Sequence, residues 1–139
     1  MTAVIGAEII VVDDDPSVRR ALNRLLSTHG FRVRSYGSAR DFLDQRVTAP
    51  AVGCVVLDVA MPGKSGLELQ TELQQLGIRL PVVFITGHGT VPMGVQAMKH
   101  GAVDFLQKPF DSRALLDTVR KAIESSREQS RQTAECQEL

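Results

Sequence analysis

A chain of 139 residues with 43% hydrophobic and 23% charged side chains has the length and composition of one globular domain with a sizeable core, which excludes a wholly disordered chain. Its 16 basic and 16 acidic residues cancel, and neither a basic stripe nor aromatic interleaving is present. The chain therefore has no electrostatic pull on nucleic acid, and DNA contact is expected only through a segment outside it. No apolar run approaches the ~20 residues that span a bilayer and Met1 to Ala7 lacks the regions of a signal peptide, so no membrane contact and a cytoplasmic location are expected.

Glu8 to Val12 reads as a buried strand. Asp15 follows as a helix N-cap with Pro16 at the first helical position, and Val18, Ala21, Leu22, Leu25 and Leu26 mark one face of a helix that Gly30 ends. Phe31 to Tyr36 is a second strand, and Ser38 opens a helix with Ala39, Phe42, Leu43 and Val47 at helical spacing before Ala49 and Pro50 turn the chain back. Gly53 to Leu57 is a continuous apolar strand, with Cys54 inside it as a reduced, structural thiol, and it delivers Asp58 to its carboxyl end. Met61-Pro62-Gly63 forms a turn, Ser65 to Glu68 has capping-box spacing, and a third helix runs to about Leu76 and closes at Gly77. Pro81 to Ile85 is the fourth strand, and Gly87-His88-Gly89 a flexible loop. Val91, Val95 and Met98 form the apolar stripe of a helix ended by Gly101, and Val103 to Leu106 is the fifth strand. The last helix starts near Asp111 with Leu115, Leu116, Val119, Ala122 and Ile123 on one face, and from Ser125 the chain becomes polar, as a linker does. Cys136 in that tail has no spacing relation to Cys54 that suggests a disulfide or metal motif.

Strict alternation of five strands and five helices predicts a doubly wound α/β fold with a parallel sheet of order 2-1-3-4-5, flavodoxin-like. In that order the carboxyl ends of the strands share one rim. Asp13 and Asp14 follow the first strand, Asp58 the third, Thr86 the fourth and Lys108 the fifth. Carboxylates about 4 to 5 Å apart repel by roughly 3 to 4 kcal/mol per pair at an effective dielectric near 20, and a divalent cation removes that repulsion. Such a rim suits metal-dependent phosphoryl chemistry, with Asp58 as nucleophile, the Thr86 hydroxyl as hydrogen-bond donor to a phosphoryl oxygen and the Lys108 ammonium as counter-charge. Lys108 precedes Pro109, and a cis bond there aims the ammonium back across the strand ends. Taken singly, each residue has a plainer reading: an acidic capping turn for Asp13 to Asp15, strand termination for Thr86, a solvated surface lysine for Lys108.

Four motifs together carry a family resemblance. They are Val12-Asp13-Asp14-Asp15, the stretch from Leu57-Asp58-Val59-Ala60 through Met61-Pro62-Gly63-Lys64-Ser65-Gly66, Ile85-Thr86-Gly87-His88-Gly89, and Lys108-Pro109-Phe110. From Glu8 to about Glu124 the chain resembles the CheY-like receiver domains of two-component response regulators. The resemblance implies that a sensor histidine kinase presents phosphohistidine and that Asp58 attacks its phosphorus to give an acyl phosphate, the protein being a switch that assists its own phosphotransfer and dephosphorylation rather than an enzyme. It further implies Mg2+ (or Mn2+) held by Asp14, Asp58 and the backbone carbonyl of Ala60, with Asp13 helping through water. Thr86 and Lys108 would hold the phosphoryl oxygens, and Phe105 would be the switch aromatic, with core packing as its plainer role.

The stretches from Thr86 to Met93 and from Ala97 to Phe105 are similar to the FixJ and NarL transcription regulators. That subgroup implies a homodimer on phosphorylation with Val95 and Lys99 on the dimer face, against plainer readings of core packing and solvent exposure. Residues 1–7, ahead of the match, are read as an N-terminal extension, and the subgroup also implies that residues 125–139 are a linker toward a helix-turn-helix DNA-binding domain. By the same resemblance, Ala60 and His88 occupy positions that can control access of water to the acyl phosphate, and Asp15 replaces the glutamate frequent in the family's acidic cluster. Three other readings compete: a flavin binder, disfavoured by three acids where a phosphate loop belongs; a haloacid-dehalogenase-like phosphatase using Asp13 and Asp15; and a receiver fold that is never phosphorylated.

Overall fold

A computed structural model describes residues 7–45, 52–61, 63–87 and 91–137. Strand β1 (Ala7–Val12) leads to helix α1 (Pro16–Thr28), followed by β2 (Arg32–Tyr36), α2 (Ala39–Gln45), β3 (Val52–Asp58), α3 (Gly66–Gln75), β4 (Val82–Thr86), α4 (Val91–Lys99), β5 (Asp104–Gln107) and α5 (Ser112–Gln137). The strands form one parallel sheet in the order β2-β1-β3-β4-β5, as the alternation predicts. Because successive strand residues point to opposite faces, β3 divides its side chains between two cores. Cys54 and Val56 join Ile9, Val11, Val83 and Ile85 beneath α1 and α5, while Val55 and Leu57 join Ile10, Val12 and Phe84 beneath α2, α3 and α4. Burial pushes the Cys54 thiol up to about 12, so this cysteine is inert packing.

Local chemistry starts and stops the helices. Asp15 accepts the Ser17 amide at 2.9 Å ahead of Pro16. Ser65 and Glu68 exchange both bonds of a capping box, and the Ser65 backbone and side-chain bonds hold the Glu68 carboxyl below the usual range. Gly30 and Gly101, at φ +89° and +92°, turn the chain out of α1 and α4 through the left-handed region.

Three features depart from the sequence reading. Asp58 and Thr86 are the last residues of β3 and β4 rather than the first beyond them, since Asp58 pairs with Ile85 and Thr86 with Gln107; a ladder continues as long as a neighbour supplies partners. Val95 and Met98 do not face the core. Each is 48% exposed, and the buried position of α4 is Ala97, because α4 packs on the half-buried edge strand β5 with Gly94 against the Phe105 ring. Finally, α5 continues to Gln137, with no glycine or proline to stop it, and the Ser126 hydroxyl, buried two residues beyond the expected boundary at Glu124, accepts the Gly53 amide at 3.0 Å. Val47, Ala49, Pro50, Pro62, His88, Gly89 and residues 1–6 lie outside the described residues.

Candidate functional site

The strand order places the ends of β1 and β3 side by side, with Val12 paired to Leu57, so the acids that follow meet without any long-range search by their side chains. Asp13 is wholly buried. Its amide donates to the Tyr36 carbonyl at 3.2 Å, one carboxylate oxygen accepts the Asp15 amide at 2.9 Å and the other takes the Lys108 Nζ at 2.9 Å. Asp14 is exposed and Asp58 is 5% exposed. Asp13, Asp14 and Asp58 each bring an oxygen within 4.8 Å of the others.

Lys108 reaches this cluster from the loop after β5, where the Lys108–Pro109 bond is cis. Its Nζ lies 2.9 Å from Asp13 Oδ2 and 3.7 Å from Asp58 Oδ2. The Lys108 amide donates to the Thr86 carbonyl at 2.7 Å, which ties the end of β4 to the same loop. Thr86 itself is buried. Ala60 is exposed and its amide donates to Asp58 Oδ1 at 3.2 Å.

Burial, and then the charge of Asp13, push the Asp58 carboxyl up to about 7; Lys108 and the Ala60 amide pull the other way without winning. Burial alone lowers the Lys108 ammonium, but its hydrogen bond to Asp13 and the negative charges of Asp13 and Asp58 raise it above its ordinary value, so it stays charged. With all three acids ionised, three carboxylates face Lys108, the one cation ion-paired with them among the described residues. The unbalanced pair of charges and the all-oxygen donor set fit a hard divalent cation.

The other expected residues sit elsewhere. Phe105 is half-buried, its ring 6.4 Å from that of Phe84. With Gly94, Val95, Met98, Lys99 and Asp104 it lines a shallow groove of about 550 Å³ on α4 and β5. Val95 and Lys99 are exposed there, apart from the acidic cluster.

Two residues with no role in the sequence reading belong to the site's frame. A Cβ on Gly66 would lie 2.4 Å from the Asp58 carbonyl oxygen and 3.1 Å from the Val59 Cα, and the Gly66 amide donates to the Val59 carbonyl at 2.9 Å. Glycine here is a matter of space, and the available signal was its place at the first turn of a well-capped helix, where local structure has no need of it. Arg19 donates from Nη1 to the Asp13 carbonyl at 2.6 Å. In sequence it is one of several arginines on α1, and nothing in the periodicity singles it out.

Residues 9–120 match the family of response regulator receiver domains. Nodulation protein W of Bradyrhizobium diazoefficiens is 52% identical over 121 residues, 87% of this chain and 53% of that protein. The transcriptional regulatory protein FixJ of Azorhizobium caulinodans is 50% identical over 122 residues, 88% and 57% of the two chains. Among solved structures, the response regulator StyR superposes with a TM-score of 0.86 at 46% identity, covering 96% of this chain and 66% of that one. The chain thus spans little more than half the length of these two relatives.

Proposed function

Since the chain belongs to the response regulator receiver domain family, we propose that it is a phosphorylation switch in which Asp58 takes a phosphoryl group from a sensor histidine kinase. An Asp58 carboxylate oxygen attacks phosphorus, the phosphorus–nitrogen bond of phosphohistidine breaks, and the imidazole leaves with the electron pair and takes up a proton. Lys108, already held between Asp13 and Asp58, stays in place to balance charge on the phosphoryl oxygens. Thr86 then donates its hydroxyl to one of those oxygens. Asp14, Asp58 and the Ala60 carbonyl would hold Mg2+ or Mn2+, with Asp13 helping through water. Bound there, the cation supplies neutralisation of charge between the acids and the incoming phosphoryl group.

The observation that carries this reading is the single ammonium lying 2.9 Å from one acid and 3.7 Å from another that a different strand delivers. The phosphoryl group would draw Thr86 inward, Phe105 would follow, and Val95 and Lys99 would pair two copies. Residues 8–124 act as the receiver unit and the polar stretch 125–139 as the connection to a DNA-binding portion, by analogy with the transcriptional regulators the chain resembles. No described helix is long and apolar enough to cross a membrane.

Incubation with Mg2+ and a small phosphodonor, followed by intact-mass measurement, is expected to show one added phosphoryl group, located on Asp58 by peptide mapping. An unmodified mass throughout points to an inert receiver fold, and continuous phosphate release to a phosphatase. Cation binding carries a pH signature of its own. Asp58 must lose its proton to act as a ligand, and its carboxyl stands at about 7. Apparent Mg2+ affinity is therefore expected to fall up to about tenfold per pH unit below that value and to level off above it. Calorimetric titration across this range measures it, and a flat profile would mean that no ligand of the ion titrates there.

A further inference from the structure

We propose that Arg19 is a positioning residue for the divalent-cation site, acting through the peptide group that joins Asp13 to Asp14. This inference rests on the proposed role of the acidic cluster.

The ladder between β1 and β2 runs on as far as the Asp13 amide, which donates to the Tyr36 carbonyl at 3.2 Å. The next group along is the Asp13 carbonyl, and it accepts Arg19 Nη1 at 2.6 Å. A guanidinium reaching back from the first turn of α1 thus stands where a β2 amide would continue the ladder. It has room because the residue after Tyr36 is a glycine: a Cβ on Gly37 would lie 3.2 Å from Nη1 and 3.6 Å from Cζ of Arg19.

That carbonyl belongs to the same rigid plane as the Asp14 nitrogen and Cα. Holding it sets the direction in which the chain leaves Asp13, and so where the Asp14 carboxylate begins. Asp13 has other anchors, its carboxylate being fixed by the Asp15 amide and by Lys108. Asp14 is exposed, without the packing that immobilises Asp13, and depends more on the backbone that carries it. A planar guanidinium with several donors suits a carbonyl approached from the side.

The test reads Mg2+ affinity directly, from amide shifts of the isotope-labelled chain without phosphodonor. Arg19→Met, which keeps the length and removes the donor, is expected to weaken Mg2+ roughly tenfold, the scale typical of lost support around a metal ligand. Arg19→Lys, which keeps a charge and a donor, should recover most of that loss. Gly37→Ala, which crowds the guanidinium, should weaken binding by a smaller factor in the natural background and add nothing to Arg19→Met. At saturating Mg2+ the phosphorylation rate of Arg19→Met should return close to that of the natural chain, which damage to the fold would not allow.

Mg2+ affinity within about twofold of the natural chain in Arg19→Met would overturn the proposal, as would a Gly37→Ala effect that persists in full without Arg19. Should Arg19→Met fail to fold, unaltered affinity in Gly37→Ala overturns it instead. A natural chain that binds Mg2+ but gains no phosphoryl group, while Arg19→Met still weakens the ion, removes the functional reading and leaves the role of Arg19 standing.

Discussion

Asp58→Asn is expected to abolish the phosphoryl adduct and, in metal-free protein above neutral pH, to make the fold more stable. Both effects come from one carboxylate. Asparagine has no nucleophilic oxygen of comparable basicity, so loss of the adduct is complete. The stability gain follows from linkage. The folded-state carboxyl stands at about 7 against an ordinary value of 3.8, raised by burial and then by the charge of Asp13. Between those values the folded protein holds a proton that the unfolded chain has released, so this group's contribution is present in full below the lower value and is lost as pH rises through the upper one. Asparagine, close in shape to the protonated acid, escapes that loss. The variant should match the natural chain near pH 4 and exceed it by roughly 1–3 kcal/mol near pH 8, allowing for solvent screening where exposed Asp14 opens the site to water. Denaturant unfolding of both proteins across this range measures the difference. Saturating Mg2+ should shrink or reverse it, because the cation stabilises only the form that ligates it well. A variant less stable than the natural chain at all pH values would contradict the electrostatic account of the site.

Gly66→Ala should be the most damaging single-methyl change at the site. The added carbon would meet the Asp58 carbonyl oxygen at 2.4 Å and the Val59 Cα at 3.1 Å. These are backbone atoms, so no side-chain rotamer can relieve the contact. Either α3 backs away, breaking the bond from the Gly66 amide to the Val59 carbonyl, or the end of β3 shifts and carries Asp58 out of line with Lys108. The expected cost is about 3 kcal/mol, the upper part of the range for overpacking, which lowers the melting temperature by roughly 10 °C in a domain of this size. Thermal unfolding followed by circular dichroism checks the first outcome. The second is slower phosphorylation than in the natural chain at saturating Mg2+. An unchanged melting temperature together with an unchanged rate would mean that the start of α3 moves freely past β3.

The fold was legible because its signals are local and repeated. Asp15 before Pro16, Ser65 with Glu68 and glycines at helix ends mark boundaries through bonds made within a few residues. Apolar runs such as Val55 to Leu57 announce strands buried on both faces. Sequence patterning failed where burial depends on a neighbour at the edge of the sheet. Val95 and Met98 repeat at helical spacing and yet stay exposed, because β5 offers α4 only a narrow, half-buried partner. The polar run after Ser125 has no apolar stripe to mark it as helix, yet it continues α5 on helix propensity, with the buried Ser126 as a late anchor.

By itself the sequence determined the alternation of elements, hence a parallel sheet whose strand ends share a rim, and the residue types carried to that rim. Only the tertiary structure decided how those groups divide the work: Asp13 buried against Lys108, Asp14 left at the surface, Asp58 pushed toward neutrality. It likewise revealed that Gly66 and Arg19 frame them. The reason is one of range. Periodicity and capping are written in contacts a few residues long, whereas burial, charge coupling and steric clearance arise between segments as distant as Asp13 and Lys108, and exist only once the chain has closed.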